Sequence, residues 1–261
     1  MERAAGTAFT GERPGWGKDF DYDESRALAA YRYAATLAAG KRVADAGCGE
    51  GFGTQLLADV ATSVVGLDYS AAAIAVCRET WRKPNLSFRQ ADLTRSRALT
   101  ERFDLVINFQ VLEHMRDDLA FLENLKTLLA PGGRLLLTTP NRLKSFSENP
   151  YHLREYTAPE LRRLLERVFR AVTLLGMHGN ATVTAFDRGR ERAVKRILRL
   201  DPFGIRNRLP RAVVTFAFAK LAVLVRRRAR GAAQPVITPD DFFVSAANLD
   251  DALDLVALCA T

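Results

Sequence analysis

The residues Asp45-Ala46-Gly47-Cys48-Gly49-Glu50-Gly51 place an acid and three glycines between an apolar stretch and a helical pattern. Glycines at such a junction permit tight turns and let the backbone come close to a ligand. In a doubly wound sheet, ligands lie outside the carboxyl ends of the strands, which is where this loop would sit. A nicotinamide fingerprint needs Gly-x-Gly-x-x-Gly, but the sixth position counted from Gly47 is Phe52. A phosphate-binding P-loop needs Gly-Lys-Ser/Thr, and the segment lacks it. Asp45, just before the glycines, disfavours a pyrophosphate and suits a cationic group such as an amine.

A loop of this kind needs a strand behind it and a helix ahead of it. Short apolar runs at 42–45, 63–68, 86–90, 103–109 and 134–139 read as strands, with another at 172–176. Helical periodicity at 23–39, 53–60, 71–82, 119–129 and 159–169 alternates with them. Gly40 stands where a helix C-cap belongs, and Pro131-Gly132-Gly133 reads as a sharp turn from helix to strand. Thr157 and Glu160 have capping-box spacing. A short helix at 251–254 and a terminal strand at 255–260 close the chain. This alternation predicts an α/β fold with a mostly parallel, doubly wound sheet covered on both faces.

Five segments in this order resemble class I S-adenosylmethionine (SAM) dependent methyltransferases, over roughly residues 40–170. The Asp45–Gly51 loop is similar to that family's first motif. Val65-Gly66-Leu67-Asp68-Tyr69-Ser70 resembles the acidic end of its second strand, and Gln90-Ala91-Asp92-Leu93 the motif after its third. The run from Phe103 through Asn108, Gln110 and Glu113 to His114 resembles its fourth strand, and Leu129–Leu135 its fifth. The resemblance implies a seven-stranded Rossmann-like sheet binding SAM. It implies that Asp45, Ala46, Gly47 and Gly49 hold the methionine end. Asp68 and Tyr69 would then lie at the ribose, Asp92 and Leu93 at the adenine, and Asn108 and Gln110 near the methyl group. Many relatives end strand four with Asp or Ser where this chain has Asn108. The Asn-Pro-Pro-Tyr/Phe arrangement of amide and base N-methylators is missing, which argues against nucleic acid as acceptor.

SAM's methyl group is already activated, so the protein mainly has to place a nucleophile in line with it. A hydroxyl acceptor also calls for a general base or a metal, whereas an amine only has to be unprotonated. Of the three histidines, His114 follows strand four and His152 lies in a polar, aromatic loop at 149–157; both are the candidate bases, and His178 has no assigned role. That loop resembles one in methyltransferases of bacterial glycan and secondary-metabolite pathways. Tyr31, Glu113, Tyr151 and Tyr156 are the candidate acceptor-binding residues, and an N-terminal arm with Arg13 and Tyr22 could close over the site. Glu113, Asp117, Asp118 and His152 would converge on an oxygen-ligated cation only if the fold gathered them. Their spacing does not demand it, and no metal is expected.

Of the 38 basic and 30 acidic residues, residues 186–232 hold 14 and 3. The net charge of +8 is therefore a local property of one segment. The expected organisation is an N-terminal arm and helix at 1–40, a SAM-binding core at 41–179, a basic helical insertion at 180–234 and a return to the core at 235–261. Within the insertion, the apolar run at 212–225 is too short to span a membrane. With its flanking arginines, residues 206–230 suit peripheral contact with an anionic lipid face, while packing on the domain or in a homodimer is the alternative. Three unpaired cysteines and the lack of a signal-peptide pattern point to the cytoplasm, at the inner face of the membrane. The favoured function is O-methylation of a sugar or glycan hydroxyl, including a lipid-linked one. The alternatives are O- or N-methylation of a small secondary metabolite or quinone-type phenol, and a SAM-binding partner subunit without turnover.

Overall fold

The computed structural model of the chain describes residues 21–95, 100–145, 151–198 and 236–261. The elements, in chain order, are α1 (Asp21–Ala38), β1 (Arg42–Ala46), α2 (Thr54–Leu57), β2 (Ser63–Asp68), α3 (Ala71–Thr80) and β3 (Leu86–Gln90). They continue as β4 (Phe103–Phe109), α4 (Asp118–Thr127), β5 (Leu129–Pro140), α5 (Ala158–Leu165), β6 (Ala171–Gly179), α6 (Ala181–Leu198), β7 (Phe242–Ser245) and β8 (Asp254–Ala260). The strands form one sheet in the order β3-β2-β1-β4-β5-β8-β6-β7. β1 pairs in parallel with both β2 and β4, so the winding reverses between β1 and β4. That reversal opens a crevice at the carboxyl ends of these two strands, beside the glycine loop.

Side-chain alternation along the central strands feeds two cores. Ala44, Ala46, Val106, Leu135 and Leu137 face α4 and α5. Val43, Leu105, Ile107 and Leu136 face α1, α2 and Val183 of α6. A smaller cluster of Cys48, Ile74, Cys77 and Phe88 packs α3 on the outer strands. Local caps start the helices where the core needs them. Ser70 accepts from the Ala73 amide at 3.3 Å, and Asp117 from the Ala120 amide at 3.0 Å. The expected capping box at Thr157 and Glu160 opens α5, whose buried Ala158, Leu161, Leu164 and Leu165 share one face.

The doubly wound sheet has eight strands where seven were expected. The addition is β7, which pairs antiparallel with Gly176–Gly179 and so prolongs β6 beyond the predicted 172–176. α2 is a four-residue helix instead of a run over 53–60. The Pro131–Gly133 turn is absorbed into β5 as a register shift, with Phe103 opposite Leu129 but Leu105 opposite Arg134. Leu249–Asp251 forms a 3₁₀ turn, and Asp254, expected in a short helix, begins β8. α6 occupies the start of the expected insertion. The rest of that insertion, including the 206–230 stretch, and the arm with Arg13 lie outside the described residues. Among the described residues no helix is long and apolar enough to cross a membrane.

Candidate active site

Asp45 is the last residue but one of β1 and has no exposure to solvent. Its Oδ2 accepts the Thr54 hydroxyl at 2.6 Å and the Tyr31 hydroxyl at 2.9 Å, while Oδ1 is buried without a partner. Burial pushes the carboxyl up to about 6, against the pull of those two hydroxyls. Tyr31 reaches it because residue 53 is glycine: a Cβ there would lie 2.0 Å from the tyrosine ring. Tyr31 thus positions Asp45, a different task from the acceptor contact expected of it.

The loop itself depends on Gly47. Its φ is +98°, and a Cβ would stand 2.5 Å from Cγ2 of Val111. Gly47→Ala is expected to cost about 2 kcal/mol through backbone strain and the push on Val111. A thermal melt that matches wild type would contradict this. α3 pins the far side of the loop: the Trp81 indole donates to the Glu50 carbonyl at 2.9 Å and the Cys77 thiol to the Gly49 carbonyl at 3.2 Å.

Asp68 ends β2 and accepts the Gly49 amide at 2.9 Å and the Ser70 amide at 2.8 Å, one on each oxygen. The next residue, Tyr69, is 76% exposed. Asp92 closes a turn by accepting from the Thr94 hydroxyl at 2.6 Å and the Thr94 amide at 3.0 Å. Those bonds hold its carboxyl below the usual range. Leu93 is buried in the main core. Across the crevice, buried Asn108 donates through Nδ2 to the Ala46 carbonyl at 2.6 Å, which leaves its Oδ1 buried without a partner. Asp45 and Asn108 therefore bring two unmatched acceptor oxygens to the carboxyl ends of neighbouring central strands. Gln110 follows β4 in the left-handed region, at φ +55°. Its side-chain amide donates to the Thr138 hydroxyl at 3.2 Å.

Two segments that are far apart in sequence meet beyond β4. Glu113 lies in a 3₁₀ turn (Leu112–His114) and is fully buried. Its Oε2 accepts the Thr139 hydroxyl at 3.0 Å, and its backbone carbonyl accepts the Leu153 amide at 2.8 Å. Burial pushes its carboxyl up to about 7. The loop so anchored carries Tyr151 and His152. His114 Nδ1 lies 3.0 Å from the Tyr151 carbonyl, so Nδ1 bears the proton. His152 Nδ1 lies 2.6 Å from Glu155 Oε1. The two rings meet edge to face, with centroids 5.1 Å apart. One ligating atom from each of Glu113, His114 and His152 falls within 4.8 Å of the others.

Tyr156 departs from its expected role in acceptor binding. It is fully buried, gives its hydroxyl to Asp118 at 2.9 Å and lies under the Arg154 guanidinium. It shapes the loop from beneath. Asp117 and Asp118 start α4 and stand outside the histidine group. Tyr22 is buried and donates to Asp187 of α6 at 2.7 Å. His178 stacks on Phe243 of β7, apart from the crevice.

Several members of the site went unnoticed in the sequence. Glu155 and Thr139 orient His152 and Glu113, and only Glu155 left a local trace, three residues from its partner. Asp254 starts β8 beside the end of β5, with Arg26 of α1 at 3.5 Å and its Oδ1 buried without a partner.

A methyltransferase domain family matches residues 37–173. A probable S-adenosylmethionine-dependent methyltransferase of Mycolicibacterium smegmatis is 34% identical, over 95% of this chain and 93% of that protein. One from Mycobacterium tuberculosis is 38% identical over 57% of this chain and 56% of its own length. A ubiquinone biosynthesis O-methyltransferase of Dinoroseobacter shibae is 34% identical over 49% of this chain and 59% of its own length. Among solved structures, a [4+2]-cyclase, SpnF, superposes with a TM-score of 0.58 at 19% identity, covering 92% of this chain and 83% of that one. At that identity the likeness is one of fold.

Proposed function

The chain belongs to the class I SAM-dependent methyltransferases, and from that premise we propose that it carries the methyl group of SAM to a hydroxyl oxygen, with a sugar or glycan hydroxyl as the favoured acceptor. SAM supplies a methyl group already activated by its sulfonium sulfur. The residues of the crevice fit such a cofactor. The unmatched Oδ1 of Asp45 suits its ammonium group, because a buried acceptor without a donor is costly until one arrives. The Asp68 carboxylate, held by two backbone amides, suits a pair of ribose hydroxyls. Leu93 and Asp92 bound the third wall, although the Asp92 side chain is committed to its turn.

The observation that carries the hydroxyl reading is the convergence of Glu113, His114 and His152. An amine acceptor needs no such group; a hydroxyl must lose a proton, which calls for a nitrogen base or a cation. Val111 ties the group to the cofactor loop, since it touches Gly47 and lies two residues before Glu113. Tyr151, half-buried in the same loop, meets His114 through its backbone carbonyl. Similarity to a ubiquinone biosynthesis O-methyltransferase favours a phenolic small molecule as the second reading. The basic 206–230 stretch suits peripheral contact with an anionic membrane at the cytoplasmic face, where a lipid-linked glycan would be met; a homodimer is the competing cover.

The test offers methyl-labelled SAM with free sugars, a lipid-linked glycan fraction and simple phenols. Label on the carbohydrate fractions supports the favoured acceptor. Label on phenols alone replaces it with the second reading. Label on none of them while SAM binds overturns both.

A further inference from the structure

We propose that Glu113, His114 and His152 form a binding site for one divalent cation of borderline softness, such as Zn²⁺ or Co²⁺. The three side chains come from two segments and place one ligating atom each within 4.8 Å of the others. Two ligands of one ion with metal–ligand bonds of about 2.0–2.2 Å stand about 3.0–3.6 Å apart, so side-chain shifts of about 1–2 Å close the group around a single ion. The outer contacts are those of a ligand set. Metal-bound histidines characteristically give their other ring N–H to a carboxylate or a backbone carbonyl. Here His152 Nδ1 faces Glu155 Oε1 at 2.6 Å, and His114 Nδ1 faces the Tyr151 carbonyl at 3.0 Å. Coordination would therefore be by Nε2 of both rings. The Thr139 hydroxyl holds the carboxylate of Glu113 through Oε2.

Two imidazoles and one carboxylate favour Zn²⁺, Co²⁺ or Fe²⁺ over Mg²⁺, which demands oxygen ligands in a regular octahedron. Three protein ligands leave at least one position open, as catalytic metal sites do. This deepens the hydroxyl reading above and, for its catalytic half, rests on it. The acceptor oxygen would occupy the open position, and its proton would pass to solvent as coordination lowers its pKa. That oxygen then supplies the electron pair for the new O–CH₃ bond, while the pair of the breaking C–S bond stays on sulfur. On this account His114 and His152 are ligands, and neither takes the acceptor's proton.

The test is a titration of Co²⁺ into untagged, chelator-stripped protein without SAM, followed by visible d–d absorption and by competition with Zn²⁺. The expected result is one Co²⁺ per chain. His152→Ala and Glu113→Gln should weaken Zn²⁺ binding by about 100-fold or more, and Glu155→Gln by about 10–100-fold. Glu155→Gln keeps the shape of the loop, and unchanged circular dichroism and SAM affinity will show that each variant is folded. No stoichiometric Co²⁺ band, or equal affinity in wild type and variants, overturns the site. If the site binds and stripping the cation leaves O-methylation unchanged, the catalytic half fails and the binding half stands. If the cation binds and only nitrogen acceptors are methylated, the hydroxyl reading fails while the cation site survives.

Discussion

Replacing His152 by alanine is expected to lower kcat for methyl transfer by about a thousandfold while SAM affinity stays at the wild-type value. The separation follows from placement. His152 contacts Glu155 and faces His114 beyond β4, whereas the proposed cofactor residues are Asp45, Asp68 and the glycine loop. Loss of the imidazole removes a group that the acceptor's proton transfer depends on, whether by coordination or as base. A positioning role for Glu155 predicts a smaller loss, about 10- to 100-fold in kcat for Glu155→Gln, with KM for SAM unchanged. Steady-state kinetics over both substrates, with calorimetry for SAM, checks the pair. A loss in SAM affinity that matches the loss in kcat would move His152 out of the acceptor side.

Asp45→Asn should weaken SAM binding by at least about 100-fold, the loss of a charge-assisted bond of about 1.5–3 kcal/mol together with the Coulomb attraction beyond it. The same change should stabilise the protein without cofactor at neutral pH. Burial raises the Asp45 carboxyl from 3.8 to about 6. Between those values the folded state holds a proton that the unfolded state has released, so stability falls as pH rises. The contribution is complete below about pH 4 and is lost as pH passes 6, a fall on the order of 3 kcal/mol. Asparagine does not titrate. The stability of the variant relative to wild type should therefore rise between pH 4 and 7 by up to that amount, on top of a constant offset from its buried amide. Denaturant melts of both proteins across this range test it. A constant difference would mean that Asp45 is not protonated in the folded protein. A residue that destabilises the empty protein and tightens its cofactor complex is what stability–function trade-off predicts at a binding site.

Much of this arrangement was legible because it is written in local chemistry. The strand at 63–68 and the ends of β3 and β4 were set by apolar runs closed by Asp68, Gln90 and Phe109. The glycines of the loop marked its turn, and Thr157 with Glu160 marked the start of α5. What escaped depends on partners distant in sequence. β7 is four residues whose extended form is fixed by pairing with the end of β6, so no periodicity announces it. Tyr31 read as an acceptor residue because its bond to Asp45 passes through the space left by Gly53, which only packing reveals. Tyr156 has the composition of a binding residue and the burial of a core one. His114 and His152 were singled out separately; their meeting, with Glu113 beside them, required the Glu113 carbonyl to tie down the loop at Leu153.

The most direct test of the account is to identify the atom that carries the transferred methyl group. The purified chain is turned over with SAM carrying a carbon-labelled methyl, and the product's methyl carbon is read by NMR. The account predicts a methyl bonded to oxygen, formed by wild type and lost with His152→Ala. A methyl bonded to nitrogen or carbon, or one formed equally well by the variant, would contradict it.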